Sequence, residues 1–247
     1  MPDPQGKLTE SRRIRVYETD GHGLATFACI SNLLQESAGR HAERLGFGER
    51  AMAAHGLAWV LFRQYIHLER RPAGGEEVFL TTWPVRFDAL RGRRDFLLAD
   101  EDGRPLGRAA TVWVGFDPVL RKSSPLPDIF KSVPLTAQAL DVPPGKPPRL
   151  AEPERETALP IRRSDVDRNG HVHNVTLLEM LLEAPDGALL HKGGPKAMDI
   201  MFRAEVRHGD VVLSRCGAPD EDGWMPQALV RASDGTELVR ARSLWNH

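Results

Sequence analysis

Long apolar runs and an excess of either charge are missing from this 247-residue sequence, and cysteine is scarce. No uninterrupted apolar stretch approaches the ~18 residues that a membrane helix needs. The opening residues 1–13 are polar and lack the apolar segment of a secretory signal, so a cytoplasmic location is expected. Two cysteines, Cys29 and Cys216, supply neither a disulfide framework nor a zinc cluster. Lysine and arginine total 33 against 34 acidic residues, a formal net charge of -1. That balance argues against a nucleic-acid binder held by phosphate neutralisation. Lysine is scarce, 6 against 27 arginines. Codon bias and an arginine surface that grips phosphate or an acidic carrier would both produce that ratio. What the chain does have is a normal apolar content, 41% before its 22 glycines are added, enough for a folded globular protein.

Proline divides the chain. Ten of the 19 prolines lie between Pro118 and Pro160, where the sequence reads as a stiff connection. The flanks, 12–117 and 161–247, are each of small-domain size, and they resemble each other. Arg15-Val16-Tyr17-Glu18-Thr19-Asp20 matches Arg162-Arg163-Ser164-Asp165-Val166-Asp167 at an offset of 147, which also pairs Gly23 with Gly170, Ile30 with Leu177 and Leu34 with Leu181. Further on, Asp102-Gly103 followed by Trp113 returns as Asp234-Gly235 followed by Trp245, at an offset of 132. Several matches in one order indicate an internal duplication.

Each copy follows the same plan. A short strand leads through a glycine loop into a helix. In the first helix Phe27, Ile30, Leu34, Ala38, Ala42 and Leu45 form one apolar stripe, and Gly46 and Gly48 can close it. The second helix, from Asn174, is interrupted at Pro185-Asp186-Gly187. Strands are expected over 57–68, 77–83, 95–98 and 108–116, then over 197–206, 211–216, 227–232 and 238–245, with Asp-Gly turns between neighbours. One helix and a meander of strands, twice, make the fold class α+β, each helix wrapped by a curved antiparallel sheet.

The densest polar cluster is Ser164-Asp165-Val166-Asp167-Arg168-Asn169-Gly170-His171-Val172-His173-Asn174, just before the second helix. Unpaired N–H groups and the helix dipole favour negative charge there, so a carbonyl oxygen could be polarised. If extended, the segment would project Asp167, Asn169 and His171 from one face: an acceptor, an amide donor and an imidazole. A calcium loop is excluded because its twelfth position, which needs a bidentate Glu, is Thr176. A metal site on His171 and His173 lacks further ligands at zinc spacing. A structural role remains open, since Asp and Asn shape turns and cap helices, and Asn174 reads as a cap or turn residue. The first copy weighs against that role for the polar pair: it keeps Asp20 and Gly23 but has His22 for Asn169 and Leu24 for His171.

The stretch Asp167-Arg168-Asn169-Gly170-His171-Val172-His173-Asn174-Val175 resembles the D-x-N-x-H-V-N-N-V motif of the acyl-acyl carrier protein thioesterases of plants and bacteria. Residues 15–20, Leu34-Gln35-Glu36-Ser37-Ala38-Gly39-Arg40-His41-Ala42 and Leu57-Ala58-Trp59-Val60-Leu61 extend the likeness over most of 12–247. The resemblance implies a double hotdog fold and hydrolysis of the thioester between a fatty acyl chain and acyl carrier protein (ACP), with no cofactor. It implies catalytic roles for Asp167, Asn169 and His171, and for Glu205 in Ile200-Met201-Phe202-Arg203-Ala204-Glu205-Val206. Plant members often carry a cysteine after that glutamate. Val206 stands here, so a cysteine nucleophile at that point is excluded, and His173 replaces the usual Asn. Glu205, with His171, would activate water, Asn169 would stabilise the oxyanion and Asp167 would orient its neighbours.

The first unit is expected to bind the acyl chain and the second to carry the cluster. Trp59, Leu61 and Phe62 could line a slot, although ordinary core is the commoner role for such residues. Arg86, Arg91, Arg93 and Arg94 fall in an expected hairpin; diluted by Asp88 and Asp95, they read as a solvated turn rather than a dock for an acidic carrier. An acyl-CoA thioesterase and a non-catalytic acyl-binding module are the competing functions. A homodimer is compatible with the resemblance.

Overall fold

The computed structural model describes residues 6–137, 140–142, 145–167, 169–191 and 193–245. The chain divides into two compact units, Met1–Pro143 and Pro144–His247.

The first unit contains β1 (Leu8–Arg13), α1 (Phe27–Arg44), α2 (Glu49–Ala54), β2 (Ala58–Leu68), β3 (Glu77–Phe87), β4 (Arg91–Ala99), β5 (Pro105–Asp117) and β6 (Lys122–Ser123). Its antiparallel sheet runs β1-β3-β4-β5-β2, with β6 on the end of β5. Thr26 starts α1, its hydroxyl accepting from the Cys29 N–H at 3.0 Å. The helix ends at Arg44, and Gly46 follows at φ +79°, a left-handed conformation glycine adopts without steric penalty. Gly48 begins α2 rather than closing α1. The stripe is buried as expected, Phe27, Ile30, Leu34 and Ala38 facing Val78, Leu80, Phe96 and Leu98 of the core. At the other end of α1, Phe130 packs among Phe47, Trp59 and Phe87, with ring centroids 4.8–5.4 Å away. Trp59 and the fully buried Leu61 are thus core residues.

The second unit contains β7 (Arg155–Pro160), α3 (Asn174–Leu181), α4 (Gly187–His191), β8 (Pro195–Phe202), β9 (Val211–Cys216), β10 (Trp224–Arg231) and β11 (Glu237–Trp245). Its sheet order is β8-β11-β10-β9-β7. The helix breaks at Pro185 as expected, leaving eight residues in α3. Each unit is a helix packed on an antiparallel sheet, the α+β double hotdog that the sequence resemblance implies.

Two expectations need correction. The stretch 118–160 is more than a connection. Its start forms β6 and the Phe130 anchor, Trp83 donates its indole N–H to the Ala137 carbonyl at 3.1 Å, and its end is β7. Pro160 is tolerated because β7 pairs on one side only, with β9. The strand expected over 197–206 stops at Phe202: Arg203 N and Ala204 N both turn to the Leu238 carbonyl, at 2.9 and 3.2 Å, releasing Glu205 from the ladder.

His41 of α1 lies fully buried beside Arg94. Burial first, then Arg94 and Arg44, lower its imidazole pKa to about 4. The unfolded chain takes up that proton near pH 6.5. Its contribution to stability is therefore complete above that pH and is lost as pH falls toward about 4, at no more than about 1.4 kcal/mol per pH unit. Urea midpoints between pH 4 and 7 should slope accordingly in the wild type, and less steeply in His41→Gln.

Candidate active site

The polar cluster forms a closed turn. Arg163–Asp165 is a single 3-10 turn, held by the buried Asp165 carboxylate, which accepts from Arg162 N at 2.7 Å. Burial alone would raise the pKa of Asp165; its bonds to Arg162 hold it below the ordinary carboxylate range. Val166 and Val172 then form an isolated antiparallel bridge. Between them Asp167 N donates to the His171 carbonyl at 2.8 Å, and Gly170 N to the Asp167 carbonyl at 3.0 Å. Gly170 sits at φ +78°, where a side chain would be strained.

The glycine loop expected here is a tight turn, so Asp167, Asn169 and His171 do not project from one face of an extended segment. The Asp167 carboxylate gathers the group instead. Its Oδ1 accepts from Asn169 N at 2.8 Å and His171 N at 3.3 Å, and its Oδ2 accepts from Asn169 Nδ2 at 3.2 Å. His173, not Asn174, caps α3: its Nδ1 accepts from Val175 N at 3.2 Å. One of the helix-start donors considered for polarising a carbonyl is therefore occupied, and so is a ring nitrogen of the candidate His171–His173 metal pair. Among the described residues no group of three or more His, Cys, Asp or Glu could hold a metal ion.

Glu205 reaches the turn from the segment after β8. Val172 N donates to the Val206 carbonyl at 2.8 Å, bringing the two stretches together. Glu205 Oε2 then lies 3.1 Å from His171 Nε2, with the two side chains 33% and 27% exposed. That is hydrogen-bond distance, and solvent can still reach both side chains. The structure thus joins His171 to Glu205 and ties Asp167 to both Asn169 and the His171 backbone, while the side-chain amide of Asn169 donates to Asp167.

Two arginines at the site did not stand out in the sequence. Arg207 Nη2 is 3.3 Å from Glu205 Oε2 and 3.4 Å from His171 Nε2, a cation in contact with both. Arg231, at the end of β10, donates through Nη2 to the Glu205 carbonyl at 2.7 Å and pairs with Asp210 and Asp234. Asp210 in turn accepts from Arg207 N at 3.0 Å, so the glutamate loop is clamped by charged bonds rather than by a strand ladder.

The first copy repeats this backbone bond for bond. Asp20 N donates to the Leu24 carbonyl and Gly23 N to the Asp20 carbonyl, both at 2.9 Å; Asp20 Oδ1 accepts from His22 N and Leu24 N. Ala25 N donates to the Pro72 carbonyl, as Val172 does to Val206. The pairing places Arg71 where the second copy has Glu205. Arg71 Nη1 binds Asp20 Oδ2 at 2.6 Å, and Leu24 replaces the histidine. The first turn is a salt-bridged scaffold in which arginine and leucine stand where the second has glutamate and histidine.

The cysteines are poor nucleophiles. Burial first, then Glu18, pushes the Cys29 thiol up to about 12, and burial raises that of Cys216; both are free core residues. The arginine group read as a solvated turn is only partly that. Arg94 is buried on the face that Phe96 and Leu98 share, and on the opposite face Arg93 pairs with the buried Asp95 at 2.9 Å. Arg91 stacks on Phe62, 5.2 Å from its ring centroid.

Residues 6–132 match the family model of the acyl-ACP thioesterase N-terminal domain, and residues 149–247 that of the C-terminal domain. The chain is 29% identical to the chloroplastic palmitoyl-acyl carrier protein thioesterase of Cuphea hookeriana, over 94% of this chain and 60% of the relative. It is 28% identical to oleoyl-acyl carrier protein thioesterase 1 of Arabidopsis thaliana, over 94% and 74%. The chain thus spans about three fifths to three quarters of these relatives' lengths. Its fold is similar to that of an acyl-ACP thioesterase from Bacteroides thetaiotaomicron (TM-score 0.87, 23% identity, 98% of both chains). The 12:0-ACP thioesterase from Umbellularia californica is similar to the same degree (TM-score 0.86, 23% identity, 97% of both chains).

Proposed function

Because the chain belongs to the acyl-ACP thioesterase family, we propose that it hydrolyses the thioester joining a fatty acyl chain to the phosphopantetheine of ACP, releasing free fatty acid and holo-ACP. The observation that carries this reading is the contact of His171 with Glu205, 3.1 Å, beside a turn that presents Asn169. A thioester is already an activated acyl group, so the site has only to supply a nucleophile, an oxyanion donor and a proton for the leaving sulfur.

In this reading Glu205 and His171 hold a water molecule and take its proton as its oxygen attacks the carbonyl carbon. Asn169 donates to the oxyanion that forms. As the tetrahedral centre collapses the C–S bond breaks, and the proton held by the pair passes to the departing sulfur. Asp167 positions Asn169 and His171, Arg207 holds the Glu205 carboxylate, and Arg231 fixes the glutamate backbone. The first unit takes the acyl chain and the second carries the chemistry. Cytoplasmic action belongs to the same reading.

The test is thiol release from a length series of acyl-ACP substrates and the matching acyl-CoA thioesters. The expected result is release from acyl-ACP, with kcat/KM at least tenfold above the CoA series. Faster release from acyl-CoA would move the carrier assignment and keep the hydrolase. Tight binding with no release across the series would overturn hydrolysis and leave an acyl-binding module.

A further inference from the structure

Three buried side chains stand side by side across the sheet of the first unit. In the strand register Gln64 of β2 and Arg94 of β4 both neighbour Thr111 of β5, so the three share one face. That face lies under α1. Ser31 Oγ donates to Gln64 Oε1 at 2.9 Å, and Arg94 Nη1 lies 2.8 Å from Nδ1 of the buried His41. Arg94 has one other hydrogen-bond partner, the Thr82 hydroxyl at 3.2 Å, and its guanidinium lies 6.0 Å from the ring centroid of Phe47, but among the described residues no carboxylate pairs with it. Because Arg94 donates to Nδ1, the imidazole proton sits on Nε2. Gln64 Nε2, Arg94 Nη2 and His41 Nε2 are then buried donors with no hydrogen-bond acceptor among the described residues. An uncompensated buried guanidinium is among the costliest groups a core can hold, and burial draws the Arg94 pKa down to about 9.

The second copy shows that the fold does not require this row. Trp245 Nε1 donates to Ser243 Oγ at 2.8 Å as Trp113 Nε1 donates to Thr111 Oγ1 at 3.0 Å, so Ser243 and Thr111 are equivalent. The register neighbours of Ser243 are Met198 and Met225, and on the helix Leu178 takes the place of Ser31. The same scaffold thus carries methionine–serine–methionine in one unit and glutamine–threonine–arginine in the other. An interior meant for plain hydrocarbon would be served by the first set.

We propose that the interior of the first unit is a subsite for an oxygen-bearing acyl chain, whose hydroxyl, oxo or carboxylate oxygen accepts from Arg94, His41 and Gln64. The proposal rests on the reading that this unit takes the acyl chain. It identifies the preferred substrates as acyl thioesters carrying a hydrogen-bond acceptor beyond the thioester itself.

The experiment has two arms. In the first, kcat/KM is measured for acyl-ACPs of one chain length, unsubstituted or carrying a hydroxyl, an oxo group or a terminal carboxylate, with the hydroxyl and oxo positions walked along the chain. Wild type, Arg94→Met and Gln64→Met are compared. In the second, binding of the matching free fatty acids is measured by calorimetry, which needs no turnover. At least one oxygenated chain should exceed the unsubstituted chain about tenfold or more in wild type, and the ratio should fall at least tenfold in Arg94→Met. The melting temperature of Arg94→Met should not fall, because the second copy folds with methionine there; were it to unfold, Gln64→Met supplies the same ratio. A wild type with no oxygen preference in either arm, or a preference that survives both substitutions, overturns the proposal. Preference in binding without turnover would keep the subsite and remove the thioesterase reading. Turnover with flat ratios would do the reverse.

Discussion

Glu205→Gln is expected to lower kcat on acyl-ACP about 10²- to 10⁴-fold, the range attributed to a positioned general base. The amide keeps the shape of the side chain and can still meet Arg207 and His171, but it cannot take a proton. Glu205 is one-third exposed, so its substitution should shift the melting temperature by no more than a degree or two. His171→Ala should cost a similar factor. The double variant should be little worse than either single one, because two groups that hold one water act as a unit. Steady-state kinetics with calorimetry on the three variants checks this. Near-normal turnover in Glu205→Gln would remove the glutamate from the role of base.

Asp167→Ala should damage both chemistry and folding. Its carboxylate is the shared acceptor for Asn169 N, Asn169 Nδ2 and His171 N. Truncation leaves the turn without its organiser, at about 1–3 kcal/mol of stability, and lets Asn169 and His171 drift, at about 10²-fold or more in kcat. Asp20→Ala is the matched control. It removes the same kind of backbone bonds and also strips Arg71, whose side chain is only 9% exposed, of its carboxylate. A stability loss of up to about 3 kcal/mol is expected there. Turnover per folded molecule should stay near wild type, because Leu24 and Arg71 stand there in place of His171 and Glu205. Urea unfolding alongside kcat separates the two outcomes. An equal loss of kcat in Asp20→Ala would mean that the first turn also takes part in hydrolysis.

Much of this was legible in the sequence because the chain writes its scaffold twice. The shared Asp and Gly of the two turns marked what the backbone needs, and the unshared Asn169 and His171 marked what it does not. Helix α1 was legible for a simpler reason: an apolar stripe at spacing three and four has one way to be buried. Other features had no local signal. Arg207 and Arg231 are two arginines among 27, and their importance comes from a loop that leaves its strand early and from a β10 terminus distant in sequence. Arg94 was misplaced because flanking aspartates suggest solvent, whereas the alternation of β4 turns it inward. β7 was hidden by proline density, which counts against a central strand but not against one that pairs on a single side. The exact shape of the turn at Asp167 has no local signal, because alternating polar residues look the same in an extended stretch and in a loop closed by a positive-φ glycine.

The duplicated turn also separates the making of the loop from its use. Every backbone bond that shapes the second turn has a counterpart at Asp20–Leu24, where Leu24 and Arg71 fill the places of the imidazole and the carboxylate. Shape is therefore inherited from the carboxylate-and-glycine frame, and reactivity is a separable inscription of a few side chains upon it. Selection can rewrite that inscription in either unit, exchanging one chemistry for another or erasing it, with little penalty in the architecture that displays it.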